Sequence, residues 1–163
     1  MEATMDYITY NKEEHQRYKE LIEKIENSEG EEKKDLFIDL YSSLYAHHHA
    51  EEEIFYPEIL DAITDANEEE EKQVVMERVE EHSLLHYQFS VVGKTFAETP
   101  SWNAKFSVLK ELVEYHMREE ENTFSRTAKK YLTEDKIEEL VEPIKSLYEQ
   151  LKAEKVHELN SLN

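Results

Sequence analysis

Apolar residues recur at steps of three and four along most of the chain, and five stretches carry that pattern. The first runs from Asp6 or Asn11 to Glu26, with Ile8, Tyr18, Ile22 and Ile25 on one stripe and His15 among them. Asn11 with Glu14 reads as a capping box, and Asn27-Ser28-Glu29-Gly30 breaks the stretch. Ser28 with Glu31 can cap the second, which carries Phe37, Leu40, Leu44, His47, Glu51 and Ile54. Pro57 lies late in it, where a missing N–H and a bulky ring should kink or end a helix. The next break falls near Thr64 to Asn67, and Asn67 with Glu70 offers another capping box. The third stretch runs to about Phe96, with Val75, Val79, His82, Leu85, His86 and Phe89 near one face. Glu98-Thr99-Pro100-Ser101 is the clearest punctuation in the chain. The fourth carries Phe106, Leu109, Leu112, Val113, His116, Glu120 and Phe124; Thr133 opens a fifth, Glu134 to about Leu159, with Pro143 as an expected kink.

Four helices on short loops should lie antiparallel. The expected fold is all-α: an up-down-up-down four-helix bundle with an additional C-terminal helix, packed outside or across an end. One domain over 1–163 is expected, with a core bundle at about 6–130 and an extension at about 134–160.

Composition agrees. The chain of 163 residues holds 2 Gly and 3 Pro, so it has few helix breakers. Its net charge of −20 argues against nucleic acid or an anionic membrane, since both need a basic footprint. There is no cysteine, which excludes thiolate zinc sites, iron–sulfur clusters and cysteine catalysis. Any metal must take nitrogen and oxygen ligands. No apolar run approaches a membrane span and the start lacks an apolar signal core, so a soluble, cytoplasmic protein is expected.

His15, His47, His82 and His116 each interrupt an apolar stripe, one per helix. Glu51 follows His47 by four residues, His86 follows His82 by four, and Glu120 follows His116 by four, so each pair shares a helix face. Any one such pair is weak information in a Glu-rich chain. The agreement among four helices is not. A core histidine needs partners, and two buried carboxylates left unpaired would cost several kcal/mol. A pair of cations answers both needs, and carboxylates can bridge metals ~3.5–4 Å apart.

The sequence also repeats. HMREEENTFSR (116–126) lies under HHHAEEEIFYP (47–57), aligning His116 with His47, Glu120 with Glu51, Glu121 with Glu52 and Phe124 with Phe55. KEEHQRY around His15 resembles VEEHSLL around His82. On this alignment His47 and Glu51 are the expected ligands. His48 and His49 fall opposite Met117 and Arg118 and are expected at the surface or just behind the ligands, with Glu52 and Glu53 pointing outward or behind. Lys19 falls opposite His86, so symmetry does not fix that position. His157, in Glu154-x-x-His157, is expected in solvent. A ferritin-like di-iron bundle needs a glutamate three residues before such histidines, but Lys12, Leu44, Val79 and Val113 stand there.

These motifs resemble the hemerythrin-like, HHE cation-binding family over about residues 6 to 135. The resemblance implies a four-helix bundle holding two non-haem iron ions near one end, joined by an oxo or hydroxo bridge. It implies His15, His47, His82, His86 and His116 as terminal ligands, with Glu51 and Glu120 as bridging carboxylates. The family's oxygen carriers place an aspartate five residues after the helix-four histidine, whereas this chain has Glu120 at four, which points to the broader group. The implied function is binding of a diatomic, O2 or NO, for storage, delivery or sensing. The alternatives are a di-iron enzyme that reduces peroxide or NO or activates O2 in stress defence, with a redox partner protein, and an iron-handling or iron-sensing protein. Leu44, Ile54, Leu85, Phe89 and Leu112 are candidates for the ligand-pocket wall. Zinc or manganese, and monomer or homodimer, remain open at this stage.

Overall fold

The computed structural model describes residues 5–95 and 97–162. Its first helix, α1, spans Tyr7–Glu26. Asp6 caps it, accepting from the Thr9 N–H at 2.8 Å. The helix thus begins before Asn11, and Asn11 lies buried in its interior rather than capping it. Gly30 opens α2 (Gly30–Ala50) with φ +61°, a left-handed backbone that glycine adopts without a Cβ penalty. Ser28 caps nothing there: its hydroxyl donates back to the Ile25 carbonyl at 2.9 Å.

α2 does not end at Pro57. It passes through one π-helical turn, Glu51–Phe55, and continues as α3 (Tyr56–Ala66). The widened turn sets the Tyr56 N–H on the Glu51 carbonyl, five residues back. Pro57 then sits in the first turn of α3, where its missing N–H is tolerated. Asn67 (φ 60°) closes α3 as a left-handed C-cap, not as the N-terminal cap of the next helix. α4 (Glu69–Gly93) follows. Its expected end near Phe96 lies outside the described residues.

Thr99 caps α5 (Pro100–Glu119), accepting from the Trp102 N–H at 3.1 Å, with Pro100 at the first position. A second π turn, Glu120–Phe124, leads into α6 (Ser125–Tyr131). This turn has no proline, and Ser125 sends both its N–H and its hydroxyl to the Glu120 carbonyl. The fifth segment is two helices, α7 (Glu134–Glu139) and α8 (Val141–Ser161). They part at Leu140, three residues before the proline expected to kink them.

The four rods α1, α2–α3, α4 and α5–α6 form the bundle. Both expected places of the C-terminal segment are realised: α7 meets α1 at one end, and α8 lies along α2. The core has two parts. One contains Ile22, Phe37, Leu40, Leu44, Phe89, Phe106 and Leu109. The other contains Tyr7, Phe55, Tyr56, Ile59, Phe124 and Ile137. A fully buried polar layer of His15, His47, His48, Glu51, His82, His116 and Glu120 belongs to neither.

Candidate metal centre

Every residue of that layer is at most 2% exposed. His47 and Glu51 share a face of the α2 rod, with Nε2 2.9 Å from Oε1. His116 and Glu120 repeat the arrangement on the α5 rod at 3.1 Å. Each glutamate is the first residue of a π turn. π turns inside α-helices are frequent at functional sites, and here both fall at the same place in the sequence repeat.

The other two helices cross over. His82 on α4 points Nε2 at Glu51, 3.6 Å away, and Nδ1 at Glu52, 2.8 Å away. His15 on α1 points Nε2 at Glu120 and Nδ1 at Glu121, both at 3.9 Å. Each imidazole therefore faces the inner carboxylate of the opposite hairpin with one nitrogen and its outer carboxylate with the other. His82 and His116 also bring their Nε2 atoms within 3.0 Å of each other.

The layer holds three sets of ligand atoms close enough to share an ion: His48, His82 and His116; His15, His47 and Glu120; and Glu51, His82 and Glu120. Six of the seven residues expected from the sequence enter these sets. His86 does not enter one: its Nε2 lies 3.1 Å from His48 Nδ1. His48, expected at the surface or just behind the ligands, is not at the surface: it is 1% exposed, and its ring stacks on His82 at 4.0 Å. Helix geometry explains both. Residues i and i+1 diverge by about 100°, yet the bundle surrounds α2 closely enough that both His47 and His48 face inward. His49, next in sequence, is half-buried and bonds Glu52 at 3.3 Å. Glu53 is exposed, as expected, and His157 is exposed as well.

Burial sets the protonation of the layer. It pushes the His47 imidazole down to about 3, against the pull of Glu120. It pushes His82 to about 4 and His86 to about 3, and holds His48 well below the ordinary histidine value. These rings are neutral, the form a metal requires. His116 is the exception: burial also opposes its charge, but hydrogen bonds to Glu120 and Glu81 outweigh it and raise it to about 9.

Two residues outside any motif steady the carboxylates. Tyr7 donates its hydroxyl to Glu51 at 2.5 Å, and the Asn11 amide donates to Glu120 at 2.8 Å. Neither follows from histidine and glutamate spacing. The only signal was that a polar residue sits on the buried stripe of the first helix.

The donor set fits a cation. His15 Nδ1 and Nε2, Glu51 Oε2 and the Tyr56 hydroxyl are buried with no hydrogen-bond partner. Orphans at this density are rare in native cores, and no Lys or Arg pairs with Glu51 or Glu120 among the described residues. Metals held by imidazole and carboxylate satisfy these atoms together. A cavity of about 10 Å³ lies beside the layer, lined in part by Tyr7, Asn11, Phe55, Phe124 and Ser125. Of the residues expected to wall a ligand pocket, Leu44, Leu85 and Phe89 are packed into the first core with Leu112 against it, and Ile54 lies against the second.

Residues 7–128 match the profile of the hemerythrin HHE cation binding domain. No curated protein matches the chain. Among solved structures, a hemerythrin HHE cation binding domain-containing protein from Mycobacterium kansasii is similar, with 26% identity and a TM-score of 0.80 over 96% of this chain and 93% of that one. No helix among the described residues is long and apolar enough to cross a membrane. The bundle, its buried His/Glu layer and the match over most of its length identify the chain as a member of the hemerythrin HHE cation-binding family.

Proposed function

We propose that this chain is a non-haem di-iron protein that binds a small diatomic ligand, O2 or NO, for storage, delivery or sensing. The observation that carries this reading is the convergence of orphaned imidazole and carboxylate atoms in one buried layer. Glu51 and Glu120 would hold the ions together with His82, since all three belong to one set of converging ligand atoms. His15 and His47 serve one ion, and His82 and His116 the other. Closeness favours His48 as the remaining imidazole, with His86 fixing its ring through the 3.1 Å contact. Ferrous ions in such a site supply electrons and an open coordination position for a diatomic.

The protein's own residues prepare that position. Burial keeps His47, His48 and His82 neutral. Tyr7 and Asn11 hold the carboxylates in place. The buried Tyr56 hydroxyl has no partner and is free to donate to a guest. A cavity beside Tyr7 and Asn11, the residues that hold the two carboxylates, has room for roughly one water-sized guest.

A second reading, a di-iron enzyme acting on peroxide or NO, draws on a different observation. Tyr18 packs on the His15 and His47 rings at 6.4 and 5.5 Å and hydrogen-bonds Glu14. Arg17 joins Glu14 to Tyr148. This is a route by which electrons could reach the centre from a redox partner.

One experiment separates the readings. The protein is loaded anaerobically with ferrous iron, O2 is admitted, and the visible spectrum is followed. A persistent band that vanishes under vacuum supports the carrier or sensor. Rapid decay to a plain ferric spectrum supports the enzyme or an iron-handling role. Failure to retain iron removes both.

A further inference from the structure

A cleft of about 590 Å³ opens between α2, the end of α4 and the end of α8. Phe37, Ile38, Tyr41 and Leu159 wall it, and Lys34, Lys94 and Lys155 also line it. A second cleft of about 280 Å³ shares Lys34, Phe37, Gly93 and Lys94 with the first and adds Lys33. The chain has 39 acidic and 19 basic residues. The two linings together reverse that balance, with four lysines and one acid, Glu158.

Glu158 is already engaged by Lys155 at 3.2 Å. Lys34 and Lys94 have no carboxylate partner among the described residues, and both are exposed. Their charge therefore faces the cleft and solvent without an internal counter-ion. The walls are aromatic and aliphatic. A volume of this size falls in the usual range for small-molecule sites, ~300–1,000 Å³, which pair apolar walls with a few charged groups. Gly93 leaves the floor open: a Cβ there would meet Phe37 Cε1 at 3.6 Å and Tyr41 Cε2 at 3.9 Å.

We propose that this lysine-lined apolar cleft binds an amphipathic monocarboxylate of the fatty-acid class, its carboxylate between Lys34 and Lys94 and its tail on Phe37, Tyr41 and Leu159. The site shares no lining residue with the metal centre. A simple inorganic anion would leave the apolar walls wet. An uncharged alcohol would leave the lysines unused. The net charge of −20 disfavours docking to an anionic membrane and leaves a dispersed ligand as the occupant.

The full chain supplies its own reporter. Trp102, its one tryptophan, lines the second cleft and packs edge-on against Phe37 at 6.0 Å. Decanoate would be titrated by calorimetry with Trp102 fluorescence in parallel, and 1-decanol and inorganic phosphate would be run as comparisons. The expected result is saturable binding of one decanoate, with both comparisons at least about tenfold weaker. Because exposed ion pairs contribute modestly, the Lys34→Gln/Lys94→Gln variant should weaken decanoate about tenfold. Gly93→Leu, which fills the floor and leaves every lysine in place, should abolish binding with the circular dichroism unchanged. No saturable binding, equal binding of 1-decanol, or affinities unchanged in both variants would each overturn the proposal. So would a lysine variant that loses thermal stability yet binds decanoate normally, because the lysines would then serve only to offset the C-terminal dipole of α4.

Discussion

The two hairpins of the bundle start from one plan and end unequal. In each, a histidine and the glutamate four residues on share a rod, and a π turn begins at that glutamate. In each, the histidine of the preceding helix crosses to the other hairpin's pair of glutamates. The differences lie around this frame. The first hairpin supplies the neutral donors, Tyr7 and Asn11, to both inner carboxylates. At the positions matching Tyr7 and Asn11 the second hairpin has Val74 and Arg78, and Arg78 pairs with Glu81 and Glu119 instead. His48 stands where the second hairpin has Met117, and His86 where the first has Lys19. One set of converging ligand atoms is therefore rich in imidazole, from His48, His82 and His116, while another has two imidazoles and a carboxylate, from His15, His47 and Glu120. Duplication explains the frame. Divergence of single side chains explains how two ligand sets in one layer come to differ.

The shared frame gives the largest expected effect. Glu51→Gln and Glu120→Gln each remove a charge from the central set, so each should lower retained iron from about two equivalents to one or fewer. Elemental analysis after desalting reads this. Equal losses sharpen the two-fold picture, while a loss in only one variant breaks it.

Acid should expose the difference in protonation. His47, His82 and His86 take up protons at about 3 to 4 in the fold, below the ordinary 6.5. As pH falls below 6.5 the unfolded chain gains protons that the fold refuses, and stability drops. His116 acts in the opposite sense: its contribution is complete below 6.5 and is lost as pH rises through about 9. The metal-free protein should therefore lose roughly 10 °C or more in Tm between about pH 7 and about pH 5. A thermal melt series tests it, and a flat profile would mean the rings are less confined than the structure places them.

His48 and His86 then decide which imidazole serves the richer position. His48→Met installs the residue the repeat has there and should weaken the second ion by about 100-fold, while His86→Ala should cost about tenfold through loss of ring orientation. Chelator competition with ferrous or cobalt(II) ion measures both. The reverse order would restore His86 as the ligand.

The fold was legible because each helix announces itself through its apolar stripe, and few breakers interrupt the pattern. The hairpin repeat also located His47, Glu51, His116 and Glu120 correctly on the buried face. Three things escaped. The π turns carry no propensity signal, and neither contains a proline, although Pro57 follows the first by two residues. Asn11 resembles a cap residue, and only the earlier cap at Asp6 shows that it lies mid-helix. His48 was set aside because the repeat pairs it with Met117, yet both side chains are buried. A repeat reports which positions point inward, and it cannot report what chemistry each copy has since acquired there.

The smallest expected effect concerns the outer carboxylates. Glu52 lies 2.8 Å from His82 Nδ1 and also meets His49. Burial raises its pKa, but the hydrogen bonds from His49 and His82 overcome that and hold the carboxyl at about 2. Glu121 is looser, 3.9 Å from His15 Nδ1 and 4.0 Å from Lys19. A carboxylate on the far nitrogen of a ligand imidazole fixes its tautomer and direction, and losing it typically costs 10–100-fold in metal affinity. Glu52→Ala should thus weaken one ion by about tenfold and Glu121→Ala by only about two- to threefold. Glu52→Gln, which keeps an acceptor for the His82 N–H, should recover most of the loss. Chelator competition again gives the numbers. If Glu121→Ala proves as costly as Glu52→Ala, the 3.9 Å contact tightens when the ion binds, and the two crossing histidines are equivalent after all.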